Sequence, residues 1–345
     1  MTKPRIILGL MTFAPDENNG GRITNLDDFK KCLDIFQAHG FSEVDTARAY
    51  GGGQQEAFTR QAGWKERGLQ LATKLFPLPP GTHKPEEITK NLEISLAELG
   101  TDSVDIFYLH APDRSVPFLP ALKHLDALHR AGKFRRLGLS NFTAYEVAEV
   151  ASLCAQHNLV RPTVYQGIYN CMQRNIEAEL IPCCRRYGLD VVVYAPIMGG
   201  LLTGAFANKD VVPTEGRFSN KFFQGALRER FFKEQNFEAV RELKETADKY
   251  GISMIEVGLR WIANHSKLRL GASEAGKGDG VLIGVSKVEH LEQNLGYLAK
   301  GPLPDELLAA VDRMWMIAMP DAAPYWWGEL EYGYDTLQEV FGKGQ

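Results

Sequence analysis

The sequence predicts a single α/β domain built as a closed (β/α)8 TIM barrel, and three observations support this prediction. Eight short apolar runs alternate with amphipathic helical stretches over most of the chain, which is typical of one parallel sheet. The runs are nearly continuous in their apolar character, as expected of strands covered on both faces. Eight units favour a closed barrel over an open sheet, and its usual core of about 250 residues fits within a chain of 345 residues.

The predicted elements follow one another in a regular order. Strands are expected at residues 5–10, 43–46, 69–74, 104–110, 136–140, 163–166, 191–195 and 280–284. Helices are expected at residues 27–39, 54–61, 85–99, 118–131, 144–157, 177–187, 237–249 together with 253–264, and 288–298. Thr143, followed three residues later by Glu146, forms a capping-box pattern that predicts the start of the fifth helix.

The remaining residues fall in two places. The barrel core is expected at about residues 5–300 of a single domain that spans 1–345. The surplus forms a long loop after the seventh strand, at residues 199–235, and a C-terminal tail at 301–345. The chemistry of such a barrel lies in the loops at the C-terminal ends of its strands, so these are the positions to examine for function.

The composition argues against several classes of function. The chain carries 39 Lys+Arg against 43 Asp+Glu, a formal net charge of −4, so it offers no overall basic field for nucleic acid. No apolar run approaches the roughly 20 residues of a membrane-spanning helix. The five cysteines show no metal-ligand spacing. We therefore expect no metal site, no membrane contact and a reducing, cytoplasmic setting.

Four groups at neighbouring strand ends can work together. The second predicted strand carries Asp45 at its end, next to Thr46, with Tyr50 in the loop that follows; the third ends at Lys74 and the fourth at His110. A phenol with its ordinary pKa of about 10 is too weak an acid to protonate a developing alkoxide efficiently near neutral pH. An ammonium beside it lowers that pKa, and a carboxylate keeps the ammonium charged. The set predicts a proton-donating site for carbonyl reduction, in which His110 can orient the carbonyl oxygen or share the proton.

Carbonyl reduction also needs a hydride, which no protein side chain supplies, so a cofactor is required. The sequence has no G-x-G-x-x-G motif that opens a helix after the first strand, and therefore no signature of an open-sheet dinucleotide site. The residues alone thus indicate that a cofactor is needed without showing how it binds.

Further ordered motifs accompany these four groups. They are Asp45-Thr46-Ala47-x-x-Tyr50, Thr73-Lys74, Asp105-x-x-Tyr108-Leu109-His110, Gly138-Leu139-Ser140-Asn141-Phe142, Gln166-x-x-Tyr169-Asn170 and Tyr194-Ala195-Pro196. In order and spacing they resemble the aldo-keto reductase superfamily, and the resemblance runs from about residue 6 to about residue 297. Its aflatoxin-aldehyde reductase branch is similar at three more stretches, which are Gly200-Leu201-Leu202-Thr203-Gly204, Gly216-Arg217-Phe218 and Gln293-Asn294.

The resemblance implies NADPH/NADP+ as the cofactor, bound extended across the barrel mouth without a Rossmann fold. Nicotinamide contacts are implied at Ser140, Asn141, Gln166 and Tyr194, and pyrophosphate contacts at Ala195, Pro196, Met198, Gly200, Leu201, Thr203 and Gly204. Phosphate and adenine contacts are implied at Arg217, Ser286, Lys287, Gln293 and Asn294. A hydroxyl, an ammonium and a guanidinium suit a dianionic phosphate, which favours NADP over NAD. Two plainer interpretations stay open, a helix cap at Ser140 and Asn141 and a solvated lysine at Lys287.

The resemblance also implies substrate contacts at His110 and Arg230. The sequence departs from that branch at residues 324–327, which read Pro-Tyr-Trp-Trp and lack the arginine that holds acidic substrates there. This loss favours a larger, flatter or more apolar carbonyl compound as the substrate, although the aromatics could instead pack the tail onto the barrel. By strand-end position and by this stretch, candidate pocket walls are Phe13, Phe76, Phe142 and Trp327.

Two functions fit this pattern. The first is an NADPH-dependent reductase of a small carbonyl compound, in which Tyr50 gives the proton. The second is an NADPH-binding regulatory or redox-sensor subunit with slow turnover, since potassium-channel β subunits resemble the same fold. Relatives in the aldehyde-reductase branch are often dimers, which leaves a homodimer open.

Overall fold

A computed structural model, which describes residues 3–219, 225–271 and 276–342, contains the predicted barrel. Eight parallel strands pair in sequence order, and β8 closes onto β1. The strands are β1 (Arg5–Gly9), β2 (Glu43–Asp45), β3 (Gln70–Leu75), β4 (Val104–Leu109), β5 (Phe134–Ser140), β6 (Pro162–Ile168), β7 (Asp190–Tyr194) and β8 (Gly280–Ile283). The predicted fold class is confirmed.

Helices surround the strands. They are α1 (Leu26–Ala38), α2 (Gln55–Gln61), α3 (Pro85–Leu99), α4 (Phe118–Arg130), α5 (Ala144–Gln156), α6 (Leu180–Tyr187), α7 (Ala226–Phe231), α8 (Glu234–Lys249), α9 (Met254–Asn264), α10 (Val288–Leu298), α11 (Asp305–Ala318) and α12 (Thr336–Phe341). The helix predicted at 177–187 is divided into a 3-10 turn, Asn175–Glu177, and α6. Pro182 lies in the first turn of α6. The N–H groups of a first turn have no partner within the helix, so the missing N–H of proline costs no helical hydrogen bond.

Side chains at the helix starts explain several boundaries. The predicted capping box is present, because the Thr143 side chain accepts from the backbone N–H of Glu146 while the Glu146 carboxylate accepts from the Thr143 N–H. Asn25 caps α1 and Ser253 caps α9 in a related way. Such caps satisfy backbone donors that the helix itself leaves unpaired.

The inside of the barrel is a packed core. A cluster of buried side chains fills it, namely Ile7, Ala72, Ile106, Tyr108, Val164 and Val192. Gly138 lies on β5 where a Cβ atom would collide with the Tyr108 ring, so the position requires a residue without a side chain. At the N-terminal end of the barrel, Arg5 makes a buried bidentate pair with Glu43.

The two surplus segments take different courses. The loop after β7 contains a 3-10 turn, Met198–Thr203, and α7, with residues 220–224 outside the described residues. In the tail, α11 packs against α8. The chain then returns to the C-terminal mouth of the barrel, where the Trp327 N–H donates to Asn141 O at 3.0 Å. No helix in the described parts of the chain is long and apolar enough to cross a membrane.

Candidate active site

The four strand-end groups converge at the C-terminal mouth of the barrel. Lys74 Nζ forms an ion pair with Asp45 and donates to Tyr50 Oη at 3.3 Å. The Lys74 ammonium also donates to Thr46 O at 2.7 Å. The Tyr50 and His110 rings meet edge to face, with centroids 5.7 Å apart. Neighbouring parallel strands bring these side chains together, as the sequence predicted.

The Lys74 ammonium is held in its charged form. Its side chain is fully buried, and burial alone would lower its pKa. The charge of Asp45 outweighs this, so the pKa of Lys74 lies above its ordinary value. Asp45 is oriented in turn by Gln166, whose Nε2 donates to Asp45 Oδ2 at 2.9 Å.

The net pKa shift of Tyr50 is opposite to the one predicted. Burial raises the pKa of the phenol, and the Lys74 charge offsets only part of the rise. The prediction of a lowered pKa is therefore wrong in its net direction, because it left out desolvation of the phenolate. The phenol keeps its proton near neutral pH, and Lys74 still stabilises the phenolate that forms once the proton leaves.

His110 is a neutral imidazole at the same mouth. Burial and the positive charge of Lys74 hold its pKa well below the ordinary value. Its buried Nδ1 has no hydrogen-bond partner among the described residues. Buried polar atoms are rarely left without a hydrogen-bond partner. A small polar group that enters the site could form this missing hydrogen bond with the imidazole.

Polar groups of β5, β6 and β7 extend the site. Asn141 Nδ2 donates to His110 O at 2.8 Å and to Ser140 Oγ at 2.9 Å. The Tyr194 hydroxyl donates to Asn141 Oδ1 at 2.7 Å. On β6, Gln166 contacts the Asp45 carboxylate. Of the residues predicted to hold the nicotinamide carboxamide, Gln166 and Asn141 thus contact Asp45 and the His110 backbone, and Ser140 is joined to them through Asn141.

Backbone conformation marks the same region. Four non-glycine residues in the described chain have a positive φ, and three of them are predicted cofactor contacts: Asn141 at 60°, Ala195 at 56° and Met198 at 54°. A left-handed conformation is unfavourable for residues with a Cβ and tends to be kept at functional sites. The two loops are therefore held in shapes that their sequences do not favour.

Arg217 and Arg22 bring two positive charges to the mouth. Among the described residues, Arg217 makes one weak hydrogen bond, from Nη2 to Met11 Sδ at 3.4 Å, and no described carboxylate forms a salt bridge with Arg217 or Arg22. Burial lowers the pKa of Arg217 and the charge of Arg22 lowers it further, yet a guanidinium stays charged in proteins. Two such charges close together, without a salt bridge to a described carboxylate, favour an anion at this part of the mouth. Arg22 was missed in the sequence because no strand pattern or motif marks it.

The other predicted cofactor residues lie around the ends of β7 and β8. Pro196, Met198 and Leu201 are buried. Gly200, Thr203 and Gly204 are more exposed in and after the 3-10 turn. Ser286 and Lys287 are exposed between β8 and α10, and Ser286 Oγ is 3.2 Å from His290 Nδ1. On α10, Gln293 is exposed and donates to the Tyr297 hydroxyl at 2.8 Å, whereas Asn294 is buried.

The structure separates the predicted substrate contacts into two groups. Phe76 lies between His110 and Trp327, with ring centroids 5.3 Å and 5.2 Å away. Phe13 and Phe142 are fully buried in the hydrophobic core, where their rings pack on Phe29 and Phe118. Their assignment as pocket walls is corrected, since a ring at a strand end can face the helices as readily as the mouth.

Arg230 lies beside the tail. Its Nη2 donates to Pro324 O at 2.6 Å, and its buried Nε has no hydrogen-bond partner among the described residues. Arg230 Nε can therefore donate one more hydrogen bond at the side of the mouth where the tail returns.

Metal-ligating side chains are not clustered in the described part of the chain. In residues 3–219, 225–271 and 276–342, no group of three or more His, Cys, Asp or Glu side chains is placed to hold a metal ion. The five cysteines are free, and Cys183 is the one that is not fully buried.

Comparisons with known proteins agree with this geometry. The model of the aldo/keto reductase family matches residues 5–316. An aldo-keto reductase of Pseudocercospora fijiensis is 40% identical over 299 residues, which cover 85% of this chain and 99% of that protein. Aflatoxin B1 aldehyde reductase member 2 of Rattus norvegicus is 37% identical over 333 residues, with coverage of 94% and 88%. Aflatoxin B1 aldehyde reductase member 4 of Homo sapiens is 36% identical over 333 residues, with coverage of 94% and 97%.

The family match includes all eight strands and the loops that carry the four converging groups. The relatives are similar over most of their own length and over most of this chain. The chain therefore belongs to the aldo/keto reductase family of oxidoreductases, in its aflatoxin-aldehyde-reductase-like branch, and its reaction class is carbonyl reduction.

Proposed function

We propose that this protein reduces an aldehyde or ketone to the alcohol with NADPH, and that Tyr50 donates the proton. The observation that carries the proposal is the contact between the Tyr50 hydroxyl and a buried, charged Lys74 beside a neutral His110. A phenol that holds its proton until a carbonyl oxygen gains charge is a general acid for reduction.

Each of these side chains has a distinct task. The Tyr50 hydroxyl hydrogen-bonds the carbonyl oxygen and gives up its proton as the alcohol forms. Lys74 stabilises the phenolate, and Asp45 keeps Lys74 charged and in place. The His110 imidazole, whose buried Nδ1 has no hydrogen-bond partner among the described residues, orients the carbonyl oxygen. When bound, the reduced nicotinamide supplies the hydride.

The residues present fit a phosphorylated dinucleotide. Ser140, Asn141 and Gln166 offer the donors and acceptors that a carboxamide needs. Arg217, with Arg22 beside it, provides positive charge for the phosphates, and the exposed Ser286 and Lys287 suit a terminal 2′-phosphate. NADH lacks the 2′-phosphate, so Ser286 and Lys287 would have no phosphate to bind in a complex with NADH.

The pKa directions predict a flat pH profile near neutrality. His110 is neutral because its pKa is lowered, and Tyr50 is protonated because its pKa is raised. We expect the single-turnover rate of aldehyde reduction to be constant from about pH 7 to about pH 9, between the ordinary pKa values of imidazole and phenol. It should fall only as the pH rises through the pKa of Tyr50. A tenfold fall within that window would contradict the assigned acid.

Steady-state oxidation of NADPH tests the proposal against the sensor function. We expect repeated turnover with a simple aromatic aldehyde, and a KM for NADPH at least about tenfold below that for NADH, the worth of one charge-assisted contact. One equivalent oxidised, followed by no further turnover on any aldehyde or ketone, would instead support the regulatory subunit.

A further inference from the structure

A buried ion pair joins two loops of the barrel mouth. Arg114 lies in the β4–α4 connection, a few residues after His110, and Glu146 lies in the first turn of α5. Arg114 Nε donates to Glu146 Oε1 at 2.7 Å, and Nη2 donates to Oε2 at 3.0 Å. The exposed fractions of the two side chains are 7% and 0%. A bidentate pair of this kind fixes the plane of the guanidinium.

The rest of Arg114 holds the C-terminal tail. Its Nη1 donates to Trp327 O at 2.5 Å and to Glu329 O at 3.1 Å. Its backbone oxygen accepts from the Gly333 N–H at 2.8 Å. The Tyr332 hydroxyl donates to Glu146 Oε1 at 2.9 Å. We call Arg114, Glu146 and Tyr332 the tail clamp.

The tail clamp fixes Trp327 over the candidate site. The Trp327 backbone is bonded on both sides, through its oxygen to Arg114 and through its N–H to Asn141. The indole meets the Phe76 ring at an interplanar angle of 72°, and Phe76 meets His110 at 87°. A row of rings thus leads outward from Tyr50, and the Trp327 residue remains 47% exposed.

We propose that the tail clamp is a positioning device that makes this site select flat, uncharged aromatic carbonyl compounds, with Trp327 as the specificity-determining contact. The proposal rests on the carbonyl reduction proposed above. Aromatic rings gain from edge-to-face and offset contact with an indole, beyond the gain from area alone. Residues 325–334 carry Glu329 and Glu331 and no cation, and Arg114 is neutralised by Glu146, so this stretch of the tail offers no positive charge to a carboxylate on the substrate.

Two aldehydes of similar size test the preference for a flat ring. Benzaldehyde is planar, and cyclohexanecarbaldehyde has a puckered ring. For Trp327→Ala we expect kcat/KM for benzaldehyde to fall about tenfold, mainly through KM, from the usual worth of an aromatic contact. The value for cyclohexanecarbaldehyde should change less than about twofold. Comparing each variant with the wild type cancels the different intrinsic reactivities of the two aldehydes.

The clamp is tested with residues that do not touch the substrate. Arg114→Lys keeps a positive charge beside Glu146 but cannot bridge both carboxylate oxygens and two carbonyls. The ratio of kcat/KM for benzaldehyde to kcat/KM for cyclohexanecarbaldehyde should fall in Arg114→Lys, as it does in Trp327→Ala. Tyr332→Phe removes one hydroxyl and should move it by a smaller factor. Arg5→Lys is the matched control, since Arg5 makes an equally buried bidentate pair with Glu43 at the opposite end of the barrel.

The outcomes separate the two proposals. If the wild type turns over steadily and Trp327→Ala leaves the ratio of kcat/KM for benzaldehyde to that for cyclohexanecarbaldehyde unchanged, Trp327 does not determine specificity. The proposed carbonyl reduction is then unaffected. A ratio that moves no more in Arg114→Lys and Tyr332→Phe than in Arg5→Lys shows that the clamp is only structural. Absence of NADPH oxidation by the wild type with either aldehyde overturns the proposed function and this inference together. Trp327 and the Tyr332 hydroxyl are not needed for the ion pair, so these two variants give an answer even where Arg114→Lys lowers the yield of folded protein.

Discussion

Replacing Tyr50 by phenylalanine is expected to lower the single-turnover rate of aldehyde reduction by roughly 100-fold to 10 000-fold, the usual contribution of a general acid. The change removes the hydroxyl that contacts Lys74 at 3.3 Å and keeps the ring that meets His110. A carbonyl oxygen in the variant has no acid of matching position, because Lys74 is committed to Asp45 and Thr46 and His110 is neutral. The decay of NADPH absorbance in a stopped-flow instrument measures the effect.

Cofactor binding serves as the internal control for this variant. The described partners of Ser140, Asn141 and Gln166 do not include the Tyr50 hydroxyl, so the Kd for NADPH should change by less than about threefold, which is under 1 kcal/mol. Tyr250→Phe, which removes an exposed hydroxyl bonded to Glu306, should leave the rate unchanged. Equal rates in Tyr50→Phe and the wild type would show that another group gives the proton.

The order of elements was predictable because it depends on local patterns. Each strand is an apolar run and each major helix is an amphipathic stretch, and parallel strands need a helix between them. Helix starts such as Thr143 with Glu146 are encoded within four residues. The position of a group at a strand end then follows from the barrel itself, which explains why Asp45, Lys74 and His110 could be placed together.

Features that depend on distant packing were not predictable in the same way. Arg114 and Tyr332 are far apart in the chain and are joined through Glu146, a contact that no spacing rule reveals. Phe13 and Phe142 follow strands as Phe76 does, yet their rings pack against helices, and the strand pattern does not show which way a ring in the following turn points. The pKa of Tyr50 also depends on burial, which the sequence does not show at a loop position.

Removing the Lys74 charge is expected to lower the free energy of unfolding strongly. Lys74→Met leaves the Asp45 carboxylate almost fully buried, with side-chain exposure of 3%, and without its cation. Breaking a buried pair by removal of one partner destabilises a protein by about 3–5 kcal/mol, because an uncompensated charge remains. The free energy of unfolding, measured by urea denaturation at neutral pH, should fall by this amount, and aldehyde reduction should be lost as well.

The double variant Asp45→Asn with Lys74→Met separates stability from chemistry. It has no buried charge at this position, and the new amide oxygen can still accept the hydrogen bond that Gln166 Nε2 donates to Asp45 at 2.9 Å. Most of the lost stability should return, since a buried ion pair can be replaced by neutral groups at little net cost. Reduction should not return, because no ammonium remains to stabilise the Tyr50 phenolate. Lys244→Met is the control for loss of a lysine from an exposed pair, with Asp248, and should change stability by less than about 0.5 kcal/mol. If the double variant regained activity, the Lys74 charge would be needed for folding alone.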